Sequence, residues 1–305
     1  MRIPFPKLFF AASLLIAPGA ARTQNARSWT PALNEAARAT PSARIIVLDL
    51  RGGRILAARH LDEAAHTLAA PGSTLKPLIL YQLLASGRWN AERRVACDRS
   101  LVIAGRRLAC SHPAAPPFDA RAALAWSCNR YFAEAARTLR PGELGPLLRS
   151  TGLLSATGKA PGEAVAEFRE PRSQEEMQLG VLGVEDLRVT PLELAHAYRW
   201  LANELAAPSA QAAAATIQAG LADSVESGMA QPAKQGSISL AGKTGTAETA
   251  DSPQTHGWFA GFAPADHPRV VIVVYLPSGR GMDAAGIAGH ILARAPLDSS
   301  KAKRP

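Results

Sequence analysis

The sequence predicts an α+β fold: one antiparallel sheet of about five strands formed by both ends of the chain, flanked by helices, with a helical subdomain inserted between them. Three observations carry this. Two short apolar segments sit around Gly52-Gly53 near the start, three strand-like segments lie near the end, and the long middle has helical periodicity. Strands separated by a block of helices, without strand–helix alternation, fit a segregated rather than a doubly wound architecture.

The elements follow in order. Residues 1–21 hold Arg2 and Lys7, an apolar run from Leu8 to Ile16 and small residues at Gly19, Ala20 and Ala21, the layout of an export leader; a retained N-terminal anchor is the alternative. Cleavage there removes two cations and no acid, so the formal charge of +9 stays strongly positive. Residues 22–297 suit a single large domain with one core, and 298–305 read as a flexible basic tail around Lys301 and Arg304. Within the domain, Thr30–Arg38 reads as a helix, and Ala43–Leu50 with Ile55–Arg59 as a hairpin. Pro71-Gly72 then ends an extended stretch, and a helix begins at Ser73, runs through Leu84 and stops at Ser86-Gly87.

A hairpin-like stretch with Val102-Ile103 before Gly105 is flanked by Cys97 and Cys110. In an oxidising compartment these two cysteines could pair, leaving Cys128 over, and the bridge would contribute roughly 3 kcal/mol; two reduced, packed thiols are the alternative. From Ala120 to about Asn203 the pattern is helical with no strand. Thr190-Pro191-Leu192-Glu193 forms a capping-box start, and Leu194, Ala197, Tyr198 and Leu201 form one apolar face. Gly158–Glu176 and Ala206–Ala215 read as surface loops or weak helix. Strands are expected over Ser237–Thr249, His256–Phe262 and Arg269–Leu276, with a closing helix over Asp283–Arg294.

Several function classes are excluded. Aromatics make up 6% of the chain and nowhere interleave with basic residues, so no base-stacking platform and no nucleic-acid partner is expected. No Gly-rich phosphate loop appears. The seven histidines and three cysteines show neither His-Glu-x-x-His nor Cys-x-x-Cys, so no metal site and no cofactor is expected.

The chemistry concentrates in three ordered strings: Ser73-Thr-Leu-Lys76, Ser127-Cys-Asn129 and Lys243-Thr-Gly-Thr246. A serine hydroxyl is a weak nucleophile until a base takes its proton, and a lysine three residues along a helix lies on the same face. Lys76 must be neutral to act as that base, which calls for burial and a further cation; Lys243 is the candidate. A serine at a helix N-terminus also sits where backbone N–H groups favour an oxyanion.

These strings resemble the motifs of the transpeptidase domain of penicillin-binding proteins. So do Ala43–Ala58, Pro71–Pro77, Ser127-Cys-Asn-Arg-Tyr-Phe132, Val189–Ala195, Gly242–Ala247 and Gly257-Trp-Phe-Ala-Gly-Phe-Ala-Pro264. The resemblance implies a β-lactamase/transpeptidase-like fold and a DD-transpeptidase or DD-carboxypeptidase acting on D-Ala-D-Ala stem peptides of peptidoglycan, with β-lactams as covalent inhibitors and an extracytoplasmic location. It implies Ser73 as nucleophile, Lys76 as base, Ser127 as proton shuttle, Asn129 on the substrate amide and Lys243 as positive potential. Thr244 and Thr246 would bind the substrate carboxylate, and the N–H groups of Ser73 and Thr246 would form the oxyanion hole, with Gly245 between them.

The chain departs from the family pattern at Gly183-Val-Glu-Asp186 and at His112-Pro113, and it resembles a minimal, stand-alone transpeptidase domain. A serine β-lactamase is one rival, with Glu163, Glu167 or Glu170 as the hydrolytic base. Ser127-Cys-Asn129 and the lack of any Asn between Arg130 and Ala202 speak against it. A non-catalytic penicillin-recognition scaffold or sensor is the other.

Overall fold

The computed structural model describes residues 23–207, 211–249 and 252–297; the expected leader and basic tail lie outside these residues. Helix α1 spans Thr23–Ala36, and strands β1 (Arg44–Asp49) and β2 (Ile55–Arg59) make the predicted hairpin about Gly52-Gly53. A short helix, α2 (Leu61–His66), follows, then a 3-10 turn at Gly72–Leu75 that passes into α3 (Lys76–Ala85). The insertion holds the small hairpin β3 (Val102–Ile103) and β4 (Arg106–Arg107), helices α4 (Ala120–Ala125), α5 (Asn129–Ala136) and α6 (Leu144–Ser150), strand β5 (Glu167–Phe168), and α7 (Gln174–Leu182). Strand β6 (Leu187–Arg188), α8 (Pro191–Ala206) and α9 (Gln211–Glu226) complete it. The chain closes with β7 (Ala241–Thr249), β8 (Ser252–Ala263), β9 (Val270–Leu276) and α10 (Gly281–Ala293).

The five long strands form one antiparallel sheet in the order β2-β1-β9-β8-β7, so both ends of the chain build it, as expected. The hydrophobic pattern explains the layering. In β9, Val270, Ile272, Val274 and Leu276 face one core with Ile45 and Val47, against α1 and α10. Val271, Val273 and Tyr275 face the other with Ile46 and Leu48, against α8. A strand covered on both faces needs apolar residues at every position, and β9 is buried throughout.

Three expectations are corrected. The middle is not free of strand: β5 and β6 pair antiparallel, Glu167 opposite Arg188 and Phe168 opposite Leu187. Two-residue strands are too short for any period to register. Residues from Gln211 onward belong to the four-turn α9, because its apolar contacts with α4 and β7 outweigh the sparse local signal. The last long strand pair begins at Ala241 rather than Ser237. The capping box is present as read: Thr190 Oγ1 accepts from Glu193 N, and Glu193 Oε2 accepts from Thr190 N, at 3.0 Å each.

Candidate active site

Ser73 sits in the Gly72–Leu75 turn, where Lys76 N–H donates to Ser73 O. That bond spans three residues, and in a 3-10 turn residues at this spacing eclipse, which sets Ser73 and Lys76 one above the other. The turn is held from three sides. Gly72 N–H donates to Gly183 O at 2.8 Å, at the left-handed residue that ends α7. A side chain on Gly183 would meet Gly72 O at 2.3 Å, so glycine is required there both for its φ of 71° and for this approach. From the sheet, Gly245 lies against Pro71 O, and Gly72 against the Thr246 backbone. From β8, His256 Nε2 and Trp258 Nε1 both reach Ala70 O, at 2.8 and 2.9 Å. A carbonyl only accepts, so the His256 ring is protonated at Nε2; burial holds its pKa below the ordinary value.

Ser73 opens into a cleft of about 580 Å³ that is also lined by Ser127, Asn129, Thr244 and Thr246, with Trp126, Leu182 and Val184 on its apolar side. The three sequence motifs therefore meet. Lys76 and Lys243 lie fully buried behind the wall, and Gly245 packs beneath the serine turn. Lys76 Nζ donates to Asn129 Oδ1 at 2.6 Å, to Ser127 O at 3.0 Å and to Ser127 Oγ at 3.3 Å. Its three donors are used, and among the described residues no hydrogen bond joins it to Ser73. Burial pushes the Lys76 amine down to about 8, against the pull of the Cys110 and Cys128 sulfurs. Lys243 was the cation expected to lower the Lys76 pKa, but burial is what lowers it. The repulsion is felt at Lys243, whose amine burial and Lys76 together hold well below the ordinary range. Lys243 Nζ donates to Thr244 O at 3.1 Å.

Thr246 Oγ1 accepts from Gly281 N at 2.9 Å, at the start of α10. With its lone pair engaged there, the Thr246 hydroxyl has its proton to offer toward the cleft, beside the positive end of a helix. Strand β7 is also one of the sheet's two edge strands, with no further strand paired on its outer side, the kind of edge an extended ligand can join. The opposite wall is irregular: Ser127 adopts a left-handed backbone with φ 57°, and Asn129 Nδ2 donates to Leu108 O and Ala109 O at 3.1 and 3.4 Å.

The expected Cys97–Cys110 disulfide is not formed: both are free thiols, with sulfurs 3.6 Å apart. Cys128 and His112 join them in a cluster whose ligand spacing matches no short sequence motif. Cys110-Ser-His112 was the available signal. At the departures from the family pattern, Glu185 pairs with Arg106 at 2.9 Å and Asp186 with Arg169 at 2.5 Å, which ties the Gly183–Asp186 turn to its surroundings. None of Glu163, Glu167 and Glu170 lines the cleft. Glu163 is taken by Thr157 and Gly158, Glu170 accepts from Leu144 N and Gly145 N, and Glu167 is exposed on β5.

An edge strand and a serine-bearing turn facing a helical insertion across one cleft define a transpeptidase-like protein. The chain belongs to the penicillin binding protein transpeptidase domain family, matched over residues 43–296. A curated relative, the peptidoglycan D,D-transpeptidase PbpA of Mycolicibacterium smegmatis, is 25% identical over 72% of this chain and 52% of its own length. The chain thus spans about half of that relative. Among solved structures, the transpeptidase domain of penicillin-binding protein 3 from Burkholderia pseudomallei matches with a TM-score of 0.79 at 20% identity, over 91% of this chain and 96% of that one. A peptidoglycan glycosyltransferase from Burkholderia ambifaria matches at 0.77 and 22%, over 89% and 94%. The D,D-transpeptidase domain from Eggerthella lenta gives 0.71 and 21%, over 88% and 80%. Identities this low speak for the fold alone.

Proposed function

We propose that the chain is a serine D,D-peptidase or transpeptidase that acts on peptidoglycan stem peptides ending in D-Ala-D-Ala, outside the cytoplasm, and binds penicillin covalently. No helix among the described residues is long and apolar enough to cross a membrane. The observation that carries the reading is the buried Lys76 amine, held by Ser127 and Asn129 in the wall of the cleft into which Ser73 opens.

The substrate's terminal carboxylate binds the hydroxyls of Thr244 and Thr246, under the potential of Lys243 and the start of α10. Its amide lies along Asn129 and the open edge of β7. Neutral Lys76 takes the proton of Ser73, whose oxygen attacks the penultimate D-Ala carbonyl, and the oxyanion is met by the N–H groups of Ser73 and Thr246. Ser127, in reach of Lys76, passes the proton to the departing D-Ala amine. The ester on Ser73 is then attacked by an acceptor amine, which cross-links, or by water, which trims.

The β-lactamase reading needs a base aimed at that ester, and the three acids considered for it are engaged or exposed elsewhere. A β-lactam should therefore add its full mass to the Ser73 peptide and persist. Incubation with a D-Ala-D-Ala pentapeptide, with and without an acceptor amine, followed by mass spectrometry tests the reading: release of D-Ala, with or without a cross-linked product, is expected. Absence of both, or sustained multiple-turnover nitrocefin hydrolysis, would overturn it.

A further inference from the structure

Beside the acyl-transfer cleft, the sulfurs of Cys97, Cys110 and Cys128 and a ring nitrogen of His112 all lie within 4.8 Å of one another. Zinc–sulfur bonds of about 2.3 Å place tetrahedral sulfurs about 3.8 Å apart; Cys97 and Cys110 stand at 3.6 Å. The histidine supplies an independent sign. His112 Nδ1 lies 2.8 Å from Pro113 O, and because a carbonyl can only accept, Nδ1 carries the proton and Nε2 keeps its lone pair. That Nε2 is buried without a partner, in a residue wholly removed from solvent and packed edge-on to Phe118. An imidazole oriented by a carbonyl, with its other nitrogen buried and bare and a ring nitrogen within 4.8 Å of three thiols, suits a metal-ligating histidine. Two sulfurs also accept backbone N–H groups, Cys97 from Arg99 at 3.4 Å and Cys110 from Asn129 at 3.1 Å, as metal thiolates commonly do.

We propose that Cys97, Cys110, His112 and Cys128 bind one zinc ion. Three soft thiolates and one imidazole suit zinc, and a closed set of four buried or half-buried ligands suits a structural rather than a catalytic site. Binding releases the three thiol protons to solvent, and His112 binds as the neutral ring. The ion ties both ends of the β3–β4 hairpin, the stretch before β3 and the return from β4, to the start of α5. Cys128 lies between Ser127 and Asn129, so the site braces the left-handed Ser127 and the Asn129 side chain from behind. A Cys97–Cys110 disulfide would consume two of the same ligands, and the two states exclude each other.

Metal analysis of the full chain purified without chelator tests this. One zinc per chain is expected, and replacement by cobalt(II) should give the visible spectrum of a tetrahedral thiolate site. His112→Ala should lose zinc more readily by well over tenfold, while His112→Cys, which exchanges one ligand for another, should retain it. Chelation should raise hydrogen exchange at the Asn129 amide, which donates to Cys110, tenfold or more. A zinc-free protein that stays zinc-free after reduction and incubation with zinc would overturn the site, as would His112→Ala retaining zinc like the parent. A peptide map showing a Cys97–Cys110 bridge in the purified chain would overturn it in favour of the disulfide, and unchanged exchange at Asn129 would overturn the brace.

Discussion

The two walls of the cleft are built differently. On one side, β7 is fixed by a register with β8 that runs unbroken from Ala241 to Glu248, Lys243 opposite Ala260 and Thr246 opposite Gly257. On the other, Ser127 and Asn129 belong to no ladder. A strained backbone position, a buried lysine and a knot of cysteines and histidine hold them. Regular hydrogen bonding suits a wall that presents an extended edge to a ligand, whereas the wall that moves protons is set by side chains, whose distances can be tuned one at a time. A residue lost from the first wall should cost binding, and one lost from the second should cost turnover.

The largest effects belong to the proton-moving side. Ser73→Ala should abolish covalent labelling by penicillin while changing stability by less than about 1 kcal/mol, since the residue is half exposed. Lys76→Ala should slow acylation by about 10²- to 10⁴-fold, the usual worth of a general base. Thr246→Ala should act mainly through KM; an equal fall in kcat alone would break the contrast between the walls.

Next comes the seam that joins the insertion to the serine turn. Gly183→Ala forces a methyl against Gly72 O in a left-handed residue, and overpacking with backbone strain should lower stability by about 2–4 kcal/mol. A denaturant midpoint that falls with an unchanged slope checks it. Smaller is the pH response. With the Lys76 amine near 8 rather than the ordinary 10.5, the acylation rate should rise about tenfold per pH unit below pH 8 and level off above it. The same depression means the unfolded chain binds more protons between pH 8 and 10.5, so Lys76 makes stability rise with pH across that window. Labelling rates from pH 6 to 10 decide, and a flat profile would remove Lys76 as the base. The smallest effect is that of Trp258→Phe, which gives up one of the two hydrogen bonds to Ala70 O and keeps the ring; about 1 kcal/mol of stability should go.

The regular wall was readable in the sequence as strand and motif, whereas of the irregular one only the string Ser127-Cys-Asn129 was, and not what holds it. The central strands carry long apolar runs, whereas Lys243-Thr-Gly-Thr246, on the polar strand β7, stood out as a motif within the expected strand Ser237–Thr249. The turn before Ser73 was marked by Pro71-Gly72. By contrast, β5 and β6 are too short to show a period, and α2 carries no signal beyond Asp62 and Glu63 in its first turn. The convergence of Cys97, His112 and Cys128 depends on how the insertion folds back, which no local spacing encodes. Nor did sequence reveal His256 and Trp258 as the clamp on Ala70: both lie on an apolar strand, and their polar tips act across the sheet's face.

Strand β1 pairs with β2 on one side and with β9 on the other, Arg44 opposite Tyr275, so the sheet joins the beginning of the chain to its end. A growing polypeptide can close the β1–β2 hairpin early, but it must wait for β9 before the sheet is whole. Contacts of such long sequence separation form slowly. The edge against which the serine turn rests is therefore among the last surfaces of the domain to be completed, and the Ser73 turn should reach its final geometry only once β7, β8 and β9 are in place.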